Sequence, residues 1–142
     1  MPDLKFKVIQ DGTLPTRAHP TDAGLDLCAR LGATIPAGTT LQIPLGVAVE
    51  IPAGHVGMLA PRSSLLLMTG GLGMTGVIDA DYRGELMGVI HAVGDRAVSI
   101  SAGQRIYQLV ITPIITPMPV PVLHLEDTQR GDGGFGSTGE TQ

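Results

Sequence analysis

The chain has 142 residues, a net charge of −4, 20 glycines and 11 prolines. That length suits one domain. The acidic balance leaves no basic field to hold a nucleic-acid backbone, and so much glycine and proline argues against a helical bundle.

The chain is 43% hydrophobic, too apolar for disorder. Only 15% of residues are charged, against about 25% in an ordinary soluble domain. A surface so poor in charge points to an oligomer. The opening Met1-Pro2-Asp3-Leu4-Lys5 carries no apolar run, so no signal peptide is expected. The most apolar stretch, 109–123, is interrupted by Pro113, Pro117, Pro119 and Pro121 and is too short to span a bilayer. The single cysteine, Cys28, excludes an internal disulfide and a multi-cysteine zinc site and reads as core filler. These features together describe a soluble, cytoplasmic protein with neither a nucleic-acid nor a membrane partner.

In chain order, the first segment of interest is Pro20-Thr21-Asp22-Ala23-Gly24-Leu25-Asp26-Leu27. Asp22 suits the start of a turn. Asp26 falls between leucines in a strand-like run, where a carboxylate needs a partner. Three near-repeats follow: Ile35-Pro36-Ala37-Gly38, Ile51-Pro52-Ala53-Gly54 and Ile100-Ser101-Ala102-Gly103. Proline at the second position and glycine at the fourth suit a type I turn. Between them lie β-rich runs at 41–51, 56–60, 86–93, 98–100 and 105–112. Ala48-Val49-Glu50-Ile51 and Ala97-Val98-Ser99-Ile100 alternate as half-buried strands do. Many short strands with regular turns indicate a sandwich, barrel or jelly roll.

One helix is expected. Ser63-Ser64 caps Leu65-Leu66-Leu67-Met68, which stops at Gly70-Gly71. A buried strand of the same residues is the alternative. The preceding Pro61-Arg62 gives the segment an anion-binding character, because a helix start offers free N–H groups and arginine adds a bidentate donor. An ordinary serine cap beside a surface arginine is the plainer reading.

The third segment, Thr75-Gly76-Val77-Ile78-Asp79-Ala80-Asp81-Tyr82-Arg83-Gly84, gathers charges between glycines. It reads as a tight hairpin with Asp79 at the mouth of the core after the buried-type pair Val77-Ile78, or as a plain Asp-rich turn. In the fourth, Gly103-Gln104-Arg105-Ile106-Tyr107-Gln108-Leu109-Val110-Ile111, Gln108 interrupts an apolar strand. From Thr112 the chain alternates prolines with isoleucine, valine and methionine. That pattern suits an edge strand or an arm lying on a neighbouring subunit, or an arm folded back on its own domain. The fifth segment, Arg130-Gly131-Asp132-Gly133-Gly134-Phe135-Gly136-Ser137-Thr138-Gly139, surrounds one phenylalanine with glycines. It reads as a disordered tail, or as a loop that closes over a base and its phosphates through anion nests.

In this order and spacing, the five segments resemble the five motifs of the trimeric deoxyuridine triphosphatases, over about residues 23–139. The resemblance implies an all-β, distorted jelly-roll fold (a β-clip) with one short helix, and a homotrimer with exchanged C-terminal arms. Residues 1–129 form the β domain with its proline-rich arm, and residues 130–142 a mobile lid. It also implies hydrolysis of dUTP to dUMP and pyrophosphate. Asp79 is then the general base for water attacking the α-phosphorus. Mg2+ is held mainly by the triphosphate, and Asp26 touches it only through water. Arg62, Ser63, Ser64 and Gln108 bind phosphate oxygens, with Arg62 and Gln108 taking part in catalysis.

The same resemblance has Gly76, Val77, Ile78 and Met87 read uracil through the backbone. Tyr82 lies against the deoxyribose, Phe135 stacks on the base, and Arg130, Gly136, Ser137 and Thr138 close on the γ-phosphate. Three features depart from the pattern. Tyr107 stands where alanine is more usual, and its ring must find space beside Gln108. Gly73 lies where some members carry asparagine. Leu65-Leu66-Leu67 is more apolar than expected and is assigned to the core. A dCTP deaminase of the same fold needs a glutamate where this chain has Val89, and a non-catalytic nucleotide-binding regulator is the reading from another class.

Overall fold

A computed structural model of the chain describes residues 3–137 and 139. Its strands are β1 (Lys5–Val8), β2 (Leu25–Cys28), β3 (Ala33–Ile35), β4 (Thr40–Pro44), β5 (Val47–Glu50) and β6 (His55–Pro61). Helix α1 (Ser63–Thr69) follows, then β7 (Gly71–Gly73), β8 (Gly76–Ile78), β9 (Met87–Ala92), β10 (Val98–Ile100) and β11 (Arg105–Pro113). All pairings are antiparallel. The strands form a four-stranded sheet β2-β11-β6-β8, a three-stranded sheet β4-β9-β7, and the pairs β1-β5 and β10-β3. This is an all-β, jelly-roll-like architecture with one short helix. No described helix is long and apolar enough to cross a membrane.

Side chains alternate across each sheet, and the inward set makes one core. Leu27, Ile35, Ile43, Leu45, Val47, Ile90, Ile106 and Leu109 are almost wholly buried in it. Each such side chain contributes about 1.5–3 kcal/mol on burial. One irregularity matters for the site. Ile106 and Tyr107 are both buried although they are neighbours in β11. A β-bulge between Arg105 and Tyr107 in the pairing with β2 explains this. It turns Tyr107 inward beside Leu27 and sets Gln108 opposite Asp26.

Several expectations are corrected. The run 41–51 is two strands, because the chain breaks at Leu45 and Gly46. Gly46 has φ +74°, and a Cβ there would lie 2.6 Å from Gly12 Cα. The three near-repeats turn one residue later than a type I reading places them. Thr39, His55 and Gln104 donate to the carbonyls of Pro36, Pro52 and Ser101. Each glycine is therefore third in its turn, with φ of +72°, +76° and +81°, the position of a type II turn that needs glycine.

The serines do not cap α1. Arg62 is the N-cap residue with no side-chain cap bond, and Ser63 and Ser64 lie inside the first turn. The helix ends as expected on Gly70, in the left-handed region at φ 77°. Only Leu65 joins the core, and Leu67 is 86% exposed, because a two-turn helix lying on a sheet buries one narrow stripe. Val77 is exposed while Ile78 packs against the core. Cys28 is not core filler, since alternation along β2 puts it on the same partly exposed face as Asp26.

The expected hairpin around Asp79 is instead a crossing loop. Strand β8 pairs with β6, and β9 lies between β4 and β7. Residues 79–86 thus pass from one sheet to another. Residues 114–132 are all exposed, so the arm does not fold back onto its own domain.

Candidate active site

A cleft of about 320 Å³ is lined by Ala18, Asp22, Ala23, Gly24, Asp26, Arg62, Ser63 and Gln108. Segments one, two and four of the sequence meet here. The Asp26 side chain is 14% exposed, and the partners its burial demands are two arginines. Arg62 Nε lies 3.6 Å from Oδ1, and Arg105 Nη1 lies 3.7 Å from Oδ2. Both separations exceed hydrogen-bond length, so the guanidinium groups are steered by the carboxylate and remain open to an anion. Gln108 lies over Gly24, where a Cβ would come within 2.4 Å of its Oε1. The local fold of the entry segment also matches its sequence. The Asp22 carboxylate accepts the His19 amide at 3.0 Å, and Arg17 Nε donates to the Asp22 carbonyl. Ser63 reaches the cleft, whereas Ser64 is not among its lining residues.

The third segment stands elsewhere. Gln108 pairs with Ala60 of β6, and Ile78 pairs with Gly57 on the opposite side of that strand. Asp79 is one residue further along, so four residues at about 3.3 Å and two strand spacings put it on the order of 16 Å from the cleft wall. Asp79 is exposed just beyond the end of β8. Strand β8 is the edge of its sheet, so its outer main-chain groups are unpaired within the sheet. Met87 and Gly88 of β9 lie beyond the end of β7, which pairs only from Ile90 onward. The last bond joining the two segments runs from the Met74 N–H to the Val89 carbonyl, at 2.9 Å. From that point the two strands part as a fork edged with main chain.

The loop closing the fork holds itself in place. Tyr82 donates its hydroxyl to the Glu85 carbonyl at 2.9 Å, and its ring lies over Gly84. Arg83 donates to the carbonyls of Ala80 and Tyr82. The Glu85 carboxylate takes Arg30 Nε at 2.7 Å, Arg30 Nη2 at 3.3 Å and the Gly46 amide at 3.1 Å.

The fifth segment is a chain of tight turns at the end of the exposed arm. Arg130 Nε donates to the Gly133 carbonyl at 2.6 Å. Phe135 sits at φ 50°, a conformation side chains rarely adopt, with its ring in solvent. Gly136 and Ser137 continue the turns, and Thr138 lies outside the described residues. One chain therefore brings Asp26, Arg62, Ser63 and Gln108 together and leaves Asp79, Tyr82 and Arg130–Ser137 apart from them.

Residue-by-residue reading missed Arg105 and the Arg30–Glu85 pair. Arg105 comes to Asp26 only through strand pairing, which sets it opposite Cys28, two residues along β2 on the same face as Asp26. Arg30 and Glu85 are 55 residues apart and left no local signal. Burial pushes the Cys28 thiol up from its ordinary value, and neighbouring Arg105 partly offsets this. Among the described residues no group of three or more His, Cys, Asp or Glu is placed to hold a metal.

The dUTPase family model matches residues 10–139. A deoxyuridine 5'-triphosphate nucleotidohydrolase of Paramecium bursaria Chlorella virus 1 is 41% identical, over 96% of each chain. The enzyme of that name from Arabidopsis thaliana is 40% identical over 94% of this chain and 80% of its own. The dUTPase of Staphylococcus bacteriophage 80alpha, solved with dUPNHPP, superposes with a TM-score of 0.91 at 32% identity, covering 98% of this chain and 99% of the other. A dUTPase mutant from phage phi11 of S. aureus, described as coordinating a structural Mg(II) ion, has a TM-score of 0.82 at 29% identity, over 89% and 100%. With the five segments, the fold and these relatives in agreement, the chain belongs to the dUTPase family.

Proposed function

We propose that this protein is a cytoplasmic enzyme that hydrolyses dUTP to dUMP and pyrophosphate, at sites assembled between three copies of the chain. The observation that carries this reading is the unpaired main-chain edge of β8, which ends beside the exposed Asp79 carboxylate. Backbone donors and acceptors at Gly76, Val77, Ile78 and Met87 are suited to reading the edge of a uracil. Tyr82, held by its own hydrogen bond, faces the sugar and leaves no room for a 2′-hydroxyl. Asp79 orients a water and takes its proton as that water attacks the α-phosphorus in line.

The Asp26 cleft receives the phosphates. Arg62 and Gln108 hold their oxygens, Ser63 and Ser64 add donors at the helix start, and Arg105 keeps the Asp26 carboxylate compensated. Because Asp26 already faces two guanidinium groups, it suits contact with a magnesium ion through water rather than direct ligation. Magnesium, when bound by the triphosphate oxygens, neutralises charge on the leaving pyrophosphate. The separation of Asp79 from the cleft within one chain is met by a neighbouring copy supplying the missing half. The apolar, exposed arm then crosses to another copy, where Arg130, Phe135, Gly136, Ser137 and Thr138 close over the nucleotide.

A pyrophosphate-release assay with dUTP, dCTP, dTTP and UTP tests this. Turnover of dUTP alone is expected. Ammonia release from dCTP, or dUTP binding without turnover, would refute it.

A further inference from the structure

The fork between β8 and β9 has a feature at its apex that the reaction above does not use. Tyr107 is fully buried, although it carries a hydroxyl. That hydroxyl lies 2.8 Å from the Met74 carbonyl and 2.9 Å from the Val89 carbonyl, and its single proton is shared between them. These are the two residues at which the strands part. Met74 is two residues before β8, and Val89 is two residues after Met87. The contact therefore pins both arms of the fork to β11 at one point.

Room for the ring is made by two glycines. A Cβ on Gly88 would stand 2.6 Å from Tyr107 Cε2, and one on Gly73 would stand 2.9 Å from its hydroxyl. A side chain at Gly88 displaces the ring, and one at Gly73 collides with both Pro61 Cβ, at 2.5 Å, and the Tyr107 hydroxyl. Gly73, Gly88 and Tyr107 thus form one interdependent set. The next residue along β11 is Gln108, in the wall of the phosphate cleft. Beyond the β11 bulge the ordinary alternation of a strand resumes and sends the two side chains to opposite faces. A single short segment is therefore fixed to the fork by one residue and to the cleft by the next.

We propose that Tyr107 is a positioning residue for base recognition: its hydroxyl sets the opening of the β8–β9 fork, and with it the spacing of the main-chain groups that read the pyrimidine. This rests on the base-reading role assigned to Gly76, Val77, Ile78 and Met87 above. Burial pushes the Tyr107 phenol above its ordinary value, so the hydroxyl keeps its proton through the neutral range. The ring fills the core, while the hydroxyl governs recognition.

Steady-state kinetics of the full-length protein and of Tyr107→Phe separate the two. Phenylalanine keeps the packing and leaves both carbonyls without the donor. KM for dUTP is expected to rise roughly tenfold with kcat within about twofold, and the preference for dUTP over dCTP is expected to fall. A loss of kcat with KM and preference unchanged marks a merely structural role and overturns the proposal, as does no change at all. Failure of the unaltered protein to turn over dUTP overturns the dUTPase reading and this proposal together, whereas a normal unaltered enzyme with an indifferent variant overturns this one alone.

Should the variant not fold, the unaltered chain still answers. It has two tyrosines, so 3-fluorotyrosine labelling gives two 19F signals, assigned with Tyr82→Phe. Addition of dUMP is expected to shift the Tyr107 signal, and pyrophosphate alone is not. No shift with dUMP, or an equal shift with pyrophosphate, overturns the proposal.

Discussion

The cleft around Asp26 and the loop after β8 hold their charged groups in opposite ways. In the cleft, the carboxylate is mostly buried between Arg62 and Arg105, on two hydrogen-bonded strands, and Gln108 is braced against Gly24. In the loop, Asp79 is exposed at a strand end, and order comes from short local bonds and from Glu85, anchored to Arg30. The cleft is walled by residues of one chain. The loop offers a reactive group and an unsatisfied edge, and both gain meaning only when something covers them. On the proposed reading, phosphate binding lies in a rigid wall while base reading and proton transfer lie on a separate piece. There the base is held by main chain and the proton is taken by the Asp79 side chain, so binding and turnover should fail independently.

The sharpest test of that independence is Asp79→Asn. Turnover of dUTP is expected to fall by about 10²–10⁴-fold, the usual contribution of a positioned base, while dUTP affinity measured by calorimetry stays within a few-fold. Unchanged kcat would remove Asp79 from its role. Ending the chain at residue 129 comes next. The described residues of the removed segment, 130–137 and 139, are exposed apart from the partly exposed Gly133 and Gly134, so the melting temperature and the number of copies in the assembly should not change. Activity should drop at least about a hundredfold, because closure excludes water and completes the site. Loss of the assembly on truncation would make the tail structural.

A smaller effect distinguishes the two regions by stability. Arg30→Ala strands a mostly buried Glu85 carboxylate, since each side chain of the pair is only about one-fifth exposed. Unfolding in denaturant should show a loss of about 1–3 kcal/mol. Arg105→Ala, whose side chain is half exposed and lies 3.7 Å from Asp26, should cost under about 1 kcal/mol. A reversed order would contradict the assignment of Glu85 as the loop's anchor.

The smallest effect is at the surface. The Lys5 ammonium donates to Glu50 and holds its carboxyl below the ordinary 4.5. A group with a lowered folded-state pKa stabilises the fold above its unfolded value, and that stability is lost as pH falls through the folded value. Lys5→Gln should therefore melt slightly below the unaltered protein at pH 6. The difference between the two proteins should vanish as the pH falls below the folded-state value of Glu50.

Much of the site could be read along the chain, because its residue types carry their own chemistry. An aspartate between leucines announced a need for partners, and two arginines meet it. Gly70 marked the helix stop through its positive φ. The glycines of the three near-repeats marked turns, although the turn type came out differently, since only backbone bonding shows which residue is third. The leucines of α1 could not be sorted into buried and exposed without knowing which stripe meets the sheet. Arg30 and Glu85 meet across 55 residues, and no local pattern encodes such a distance.

Periodicity and turn residues determined, from the sequence alone, that this is a strand-rich protein, and the resemblance of its five polar segments to the dUTPase motifs implied a pyrimidine-nucleotide chemistry. Only the tertiary structure decided that β8 and β9 belong to different sheets, that a bulge turns Tyr107 inward and Gln108 outward, and that Gly73 and Gly88 yield space to one ring. The physical reason is that strand pairing and close packing are long-range: a residue's neighbours along the chain set its conformation, while its partners across the core set its role.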